Sequence, residues 1–116
     1  MNISKYEIVY YELPSGKCPF QLWFDDLDVK TQNIVDTRLE RIELGNLGDH
    51  RYLHGGIFEL RFRFGPGYRI YCGEFKKEFV VLLCAGDKSS QSKDIVQAQG
   101  YWRRYLKEKE NANQNS

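Results

Sequence analysis

Between Ile57 and Phe64 the chain alternates without a break: Phe58, Leu60, Phe62 and Phe64 fall on one side of an extended backbone, and Ile57, Glu59, Arg61 and Arg63 on the other. A helical period would scatter these side chains around an axis, so the segment buries its apolar set only as a strand. Gly65-Pro66-Gly67 then turns the chain, and Tyr68 to Phe75 returns beside it. Phe79 to Ala85 is a continuous apolar run, as expected of a central strand covered on both faces. Centring the turn on Pro66 pairs Phe62 with Ile70 and Phe64 with Tyr68, while Arg63 meets Arg69 and Arg61 meets Tyr71 on the other face. A one-residue slip would turn the phenylalanines to the wrong side. The expectation is a surface that gathers Glu59, Arg61, Arg63, Arg69 and Tyr71.

Two like charges directly opposite on a ladder are unfavourable, so an anion is expected between the arginines. Guanidinium forks match the oxygens of phosphate, and Tyr71 and Tyr68 are candidate stacking or proton-handling groups. Lys88 stands where the central strand gives way to the last helix, and Lys93 in that helix's first turn. The open amides of Ser89 and Ser90 add donors for a phosphate, and Asp94 suits the positive end of the helix dipole. A different outcome stays open at this point, in which Glu59 with Asp87 or Asp94 neutralises the arginines in an internal salt-bridge network.

The rest of the chain supplies a frame. Lys5 to Leu13 reads as a strand ended by Pro14-Ser15-Gly16. Pro19 opens a short helix to about Leu27, and Asp28 caps a second from Val29 to Leu44, closed by Gly45. Asn46 to Gly56 reads as a loop holding both histidines, His50 and His54, and Ser90 to Lys107 as a final helix. The order β-α-α-β-β-β-α predicts an α+β fold: a small antiparallel sheet, an N-terminal helical hairpin packed on one face and a C-terminal helix at the end. Residues 1–108 form one domain in this reading, and 109–116 a disordered polar tail.

Charge divides unevenly. The net value is only +1, yet up to His54 there are 6 basic and 9 acidic residues, and beyond it 11 basic and 7 acidic. That contrast fits an anion-binding face in the C-terminal half. Three scattered cysteines, Cys18, Cys72 and Cys84, match neither a disulfide framework nor a zinc site, so no metal or cofactor is expected. No signal-peptide pattern or membrane-length apolar run is present, and the expectation is a soluble, cytoplasmic protein without membrane contact.

Glu59-Leu60-Arg61, Gly67-Tyr68-Arg69-Ile70-Tyr71 and Gly86-Asp87-Lys88-Ser89-Ser90-Gln91 followed by Lys93-Asp94-Ile95 resemble the RelE/ParE toxin superfamily, above all its HigB-like, phage-derived branch of addiction-module killer proteins. The likeness runs from the first strand to the last helix. It implies the toxin of a type II toxin-antitoxin pair, restrained by a cognate antitoxin of helix-turn-helix type, that enters the ribosome and cuts mRNA without a metal. By the same likeness Arg61, Arg69 and Lys88 match the family's basic positions, with Arg63 and Lys93 as supplementary contacts. Cleavage would leave a 2′,3′-cyclic phosphate and a 5′-hydroxyl. Family members often carry tyrosine or histidine near the start of the last helix, where this chain has Asp94; Tyr71, Tyr68, Lys88 and His54 are the remaining proton-transfer candidates. Two other functions belong to the same likeness: a ParE-like, non-enzymatic gyrase poison, and a non-toxic member retained as an antitoxin partner.

Overall fold

A computed structural model describes residues 5–114 of the 116. The elements follow as β1 (Glu7–Tyr10), α1 (Pro19–Asp25), α2 (Val29–Glu43), β2 (His50–Tyr52), β3 (Ile57–Arg61), β4 (Arg69–Phe75), β5 (Phe79–Gly86), a 3-10 turn (Lys88–Ser90) and α3 (Gln91–Gln114). The class is α+β, built on one five-stranded sheet ordered β1-β5-β4-β3-β2. That sheet is mixed rather than antiparallel: β1 runs parallel to β5, with Ile8 beside Val80 and Val9 beside Val81. The residues between β1 and β5 carry the chain away and back, which is what a parallel pair demands.

Helices cover both faces. Phe20 of α1 and Val35, Leu39 and Ile42 of α2 pack with Phe58, Leu60, Ile70, Cys72, Val80 and Leu82. On the opposite face Ala98, Trp102 and Tyr105 of α3 pack with Ile57, Tyr71, Val81, Leu83 and Cys84. The last helix therefore lies across the second face instead of standing at the end, and the surface expected to be open around Glu59 and Tyr71 is roofed. A β-carbon on Gly73 would sit 2.4 Å from the Trp102 ring, so glycine at this strand position is what lets α3 lie so close. A bulge between Tyr71 and Cys72 leaves Leu83 and Cys84 both turned toward α3, which is how the continuous apolar run of β5 serves two cores.

Three further expectations change. His50–Tyr52, read as loop, is an edge strand paired with β3. The β3–β4 register is two residues away from the one expected: Arg61 faces Arg69, Leu60 faces Ile70 and Glu59 faces Tyr71. The reason is the turn, which closes from Phe64 O to Gly67 N at 3.1 Å with Gly65 and Gly67 at positive φ, and centres the hairpin on Gly65. An even slip keeps every side chain on its face. Finally, the expected tail is helical through Gln114, because Arg104 reaches Glu108 (3.5 Å) and Lys109 lies over the Tyr105 ring (5.3 Å), both one turn apart. Its last two positions lie outside the described residues.

Candidate functional site

The loop after α2 brings an acid to the basic residues. Arg38 of α2 donates from Nε and Nη2 to the Leu47 carbonyl (3.1 and 2.9 Å), from Nη2 to the Asp49 carbonyl (2.6 Å) and from Nη1 to the Arg61 carbonyl (2.9 Å). Its guanidinium also lies 4.9 Å from the Phe62 ring centre. The Arg61 amide adds a 2.8 Å bond to the Asp49 carbonyl. Asp49 is thereby fixed at the edge of β3 before its side chain makes any contact.

That side chain then takes two arginines. Arg61 donates from Nε and Nη2 to Asp49 Oδ1 (3.2 and 2.8 Å), and Arg63 from Nε to Oδ2 (2.7 Å). Hydrogen bonds from Arg63 first, then Arg61, hold the Asp49 carboxyl below the usual carboxylate range. One row along the sheet the signs reverse. Glu59 is fully buried and accepts the charge of Arg51 at 3.3 Å and of Arg69 at 3.7 Å, while Gln91 of α3 donates to its Oε2 at 3.3 Å. Acid and base thus exchange places from one row to the next: Asp49 reaches Arg61, which faces Arg69 on β4, and Arg51 of β2 faces Glu59, which faces Tyr71.

Arg69 Nη1 donates to the Gly67 carbonyl at 2.9 Å, and the Lys88 amide donates to the Pro66 carbonyl at 3.3 Å. A β-carbon on Gly67 would lie 3.4 Å from Arg69 Nη1 and 3.5 Å from Lys88 Cβ. The hairpin loop and the start of the last helix are therefore one surface. Asp87 caps that start: its carboxylate accepts from the Ser89 amide (2.8 Å) and hydroxyl (2.5 Å), and these bonds lower its pKa. Asp94 turns inward, taking a 2.5 Å bond from the Ser90 hydroxyl in space that exists only because residue 86 is glycine.

Of the residues singled out from sequence, Arg61, Arg63, Arg69 and Lys88 meet at the hairpin end of the sheet. Tyr68 does not join them; it packs on the other face against Trp23 (5.8 Å) and Phe64 (5.6 Å). Tyr71 is on the right face but 0 % exposed beneath α3, with its pKa driven up by burial and then by Glu59 and Asp94. A phenol sealed off in that way neither stacks on a base nor gives up its proton at neutral pH. Lys93 is exposed on α3 and takes part in none of the ion pairs that the arginines make among the described residues. His54 is exposed, its carbonyl accepting from Gln99 at 2.9 Å.

Sequence reasoning passed over Asp49, Arg51 and Arg38. The signal for the first two was a repeated acid-x-base pattern, Asp49-His50-Arg51 and Glu59-Leu60-Arg61. Antiparallel pairing of His50 with Leu60 sets each acid of one segment against the base of the other.

The arrangement offers guanidinium donors on one patch, partly engaged by two carboxylates. Among the described residues no group of three or more His, Cys, Asp or Glu side chains is placed to hold a metal ion, and no helix is long and apolar enough to cross a membrane.

An uncharacterized protein of Haemophilus influenzae is 42 % identical over 80 residues, covering 68 % of this chain and 81 % of that protein. This chain belongs to the same family. No protein-family model matches it. The Haemophilus relative carries no described activity, so a functional reading rests on the residues themselves.

Proposed function

We propose that this protein is the toxin of a type II toxin-antitoxin pair, a metal-independent mRNA endonuclease of the RelE/ParE kind that works at the ribosome in the cytoplasm and is held in check by a helix-turn-helix antitoxin. In this reading α1 and α2 are the N-terminal helical hairpin of a RelE-like fold. The observation that carries it is the direct opposition of Arg61 and Arg69 on the β3–β4 ladder, with Arg63 and Lys88 beside them. Asp49 and Glu59 each already take one arginine of this pair, and the motif resemblance around these residues supports an RNA phosphate as the further anion they would bind.

The chemistry is transfer of a phosphate from the 5′-oxygen to the neighbouring 2′-hydroxyl. The 2′-oxygen attacks phosphorus, the bond to the 5′-oxygen breaks, and the 2′-proton ends on the leaving oxygen. A cyclic phosphate and a free 5′-hydroxyl result. Arg61 and Arg69 serve this step by stabilising charge on the phosphorane oxygens, a role in which one preorganised donor is typically worth about 2.7 to 4 kcal/mol. In this reading Lys88 neutralises the leaving oxygen. With Tyr71 buried and Tyr68 on the far face, neither tyrosine is assigned to proton transfer.

A second reading has one observation in its favour. Asp49 already engages Arg61 and Arg63, which suits a member retained as an antitoxin partner without nuclease activity. Induced expression with mapping of mRNA 5′ ends separates the two. Wild-type protein should arrest growth and cut mRNA within codons, and Arg61→Ala and Arg69→Ala should do neither while melting cooperatively. Arrest that persists in both folded variants refutes the nuclease assignment; DNA breaks without RNA cuts would make the protein a gyrase poison.

A further inference from the structure

Asp49 is positioned with unusual care for a surface carboxylate. Its carbonyl is held by Arg38 Nη2 and by the Arg61 amide. The preceding Gly48 has φ +68, and a β-carbon there would come within 2.8 Å of Arg38 Nε. So the backbone is locked into a shape that delivers the carboxylate between two guanidiniums. Oδ1 takes two N–H groups of Arg61 and Oδ2 takes one of Arg63, although the Arg63 side chain is otherwise 80 % exposed. Two anionic oxygens shared between two arginine forks is the contact set that a non-bridging phosphate oxygen pair would make.

We propose that Asp49 is an internal competitor for the phosphate: a positioning residue that occupies the Arg61 and Arg63 donors in the free protein and sets how tightly RNA binds. The inference rests on the reading that these arginines take an RNA phosphate. Displacement is local, because the backbone bonds to Asp49 do not involve its carboxylate. Rotation of that one side chain frees three N–H donors while the loop stays docked. The device selects for ligands that bring several phosphates at once, since a single diester must outbid a carboxylate already in place, whereas a strand that also contacts Arg69 and Lys88 recovers the difference.

The test uses the full chain and a short single-stranded RNA labelled for fluorescence anisotropy, with titrations of wild type, Asp49→Asn, Asp49→Ala and Arg61→Ala over a range of salt. Both Asp49 variants should melt cooperatively. Each should bind RNA more tightly at low salt, by up to about fivefold, the upper range for one exposed ion pair. Each should also show a salt dependence steeper by about 0.7 in log-log slope, the value for one more single-strand phosphate neutralised. A carboxylate that merely organises the arginines predicts the reverse, weaker binding on its removal. Equal or weaker affinity in either folded variant overturns the proposal, as does RNA binding undetectable in all of them. Tighter binding in Asp49→Asn with no mRNA cleavage on expression leaves the competitor standing and removes the nuclease reading. Cleavage by wild type with unchanged affinity in Asp49→Asn does the opposite.

Discussion

Replacing Arg38 by alanine should be among the most damaging single changes available outside the apolar cores. Its guanidinium makes four hydrogen bonds to three carbonyls, those of Leu47, Asp49 and Arg61, and stacks over Phe62. These bonds tie α2, the loop before β2 and the end of β3 into one unit. A hydrogen bond with one charged partner contributes about 1.5 to 3 kcal/mol. Simple addition over four would overstate the loss, because the four share one side chain and the freed carbonyls near the loop regain water. Burial also works against the charged group, lowering the Arg38 pKa, so part of the gross gain is already offset. A net loss of about 3 kcal/mol for Arg38→Ala remains, roughly two bonds' worth. For a chain of this size that should lower Tm by roughly 10 to 20 °C. Urea titration should show a lower midpoint at unchanged m-value. Arg38→Met separates the causes: it keeps an unbranched apolar side chain able to pack on Phe62 and removes every donor, so it should fall close to Arg38→Ala. Arg38→Lys, a point charge that cannot span three carbonyls, should recover only about a third of the loss. A cost below about 1 kcal/mol for Arg38→Ala, or stability near wild type for Arg38→Met, would refute the argument that the carbonyl clamp holds the loop.

Two other outcomes follow from backbone and charge. Lys76 and Lys77, both at φ +55 in the turn closed from Phe75 O to Glu78 N, occupy the region that Asn-Gly favours. Lys76→Asn with Lys77→Gly should therefore raise stability by about 1 kcal/mol in a thermal melt, and an unchanged or lower Tm would contradict it. The Tyr6 hydroxyl donates to Glu74 at 2.5 Å, and that bond, with burial next, lifts its pKa from 10.0 to about 12. A folded pKa above the unfolded one means stability that is whole below pH 10 and drains away as pH rises toward 12. Tyr6→Phe should flatten that alkaline loss in urea melts taken across the window, and an identical slope in the variant would show that Glu74 does not hold the proton.

How far the sequence spoke depended on what kind of information each feature needs. Period-two alternation from Ile57 to Phe64 determines which side chains share a face, and those faces are as expected: Phe58, Leu60 and Phe62 in one core, Glu59 and Arg61 on the other side. Parity cannot distinguish registers two residues apart. The choice was made by turn geometry, where positive φ at Gly65 and Gly67 centred the hairpin one residue earlier than Pro66 suggested. The parallel β1–β5 pair was illegible for a different reason, since nothing in Glu7 to Tyr10 says which edge of the sheet it will join.

The site shows the same division more sharply. That arginines gather at the hairpin could be read from alternation, but what each can do depends on depth, and depth is set by α3. Glu59, Tyr71 and Arg61 all point to one face, yet Trp102 and Ala98 cover the inner end of that face and leave its outer end open. Tyr71 is consequently packing and Glu59 a buried anchor for Arg51 and Arg69, while Arg61 and Arg63, two and four residues beyond Glu59, remain within reach of solvent. The stripe of Ala98, Trp102 and Tyr105 announced a helix with something to bury; only the close approach permitted by Gly73 decides that the sheet's second face is what it buries. The solvent-accessible charged groups therefore lie at the rim, where the loop before β2 brings Asp49 against Arg61 and Arg63.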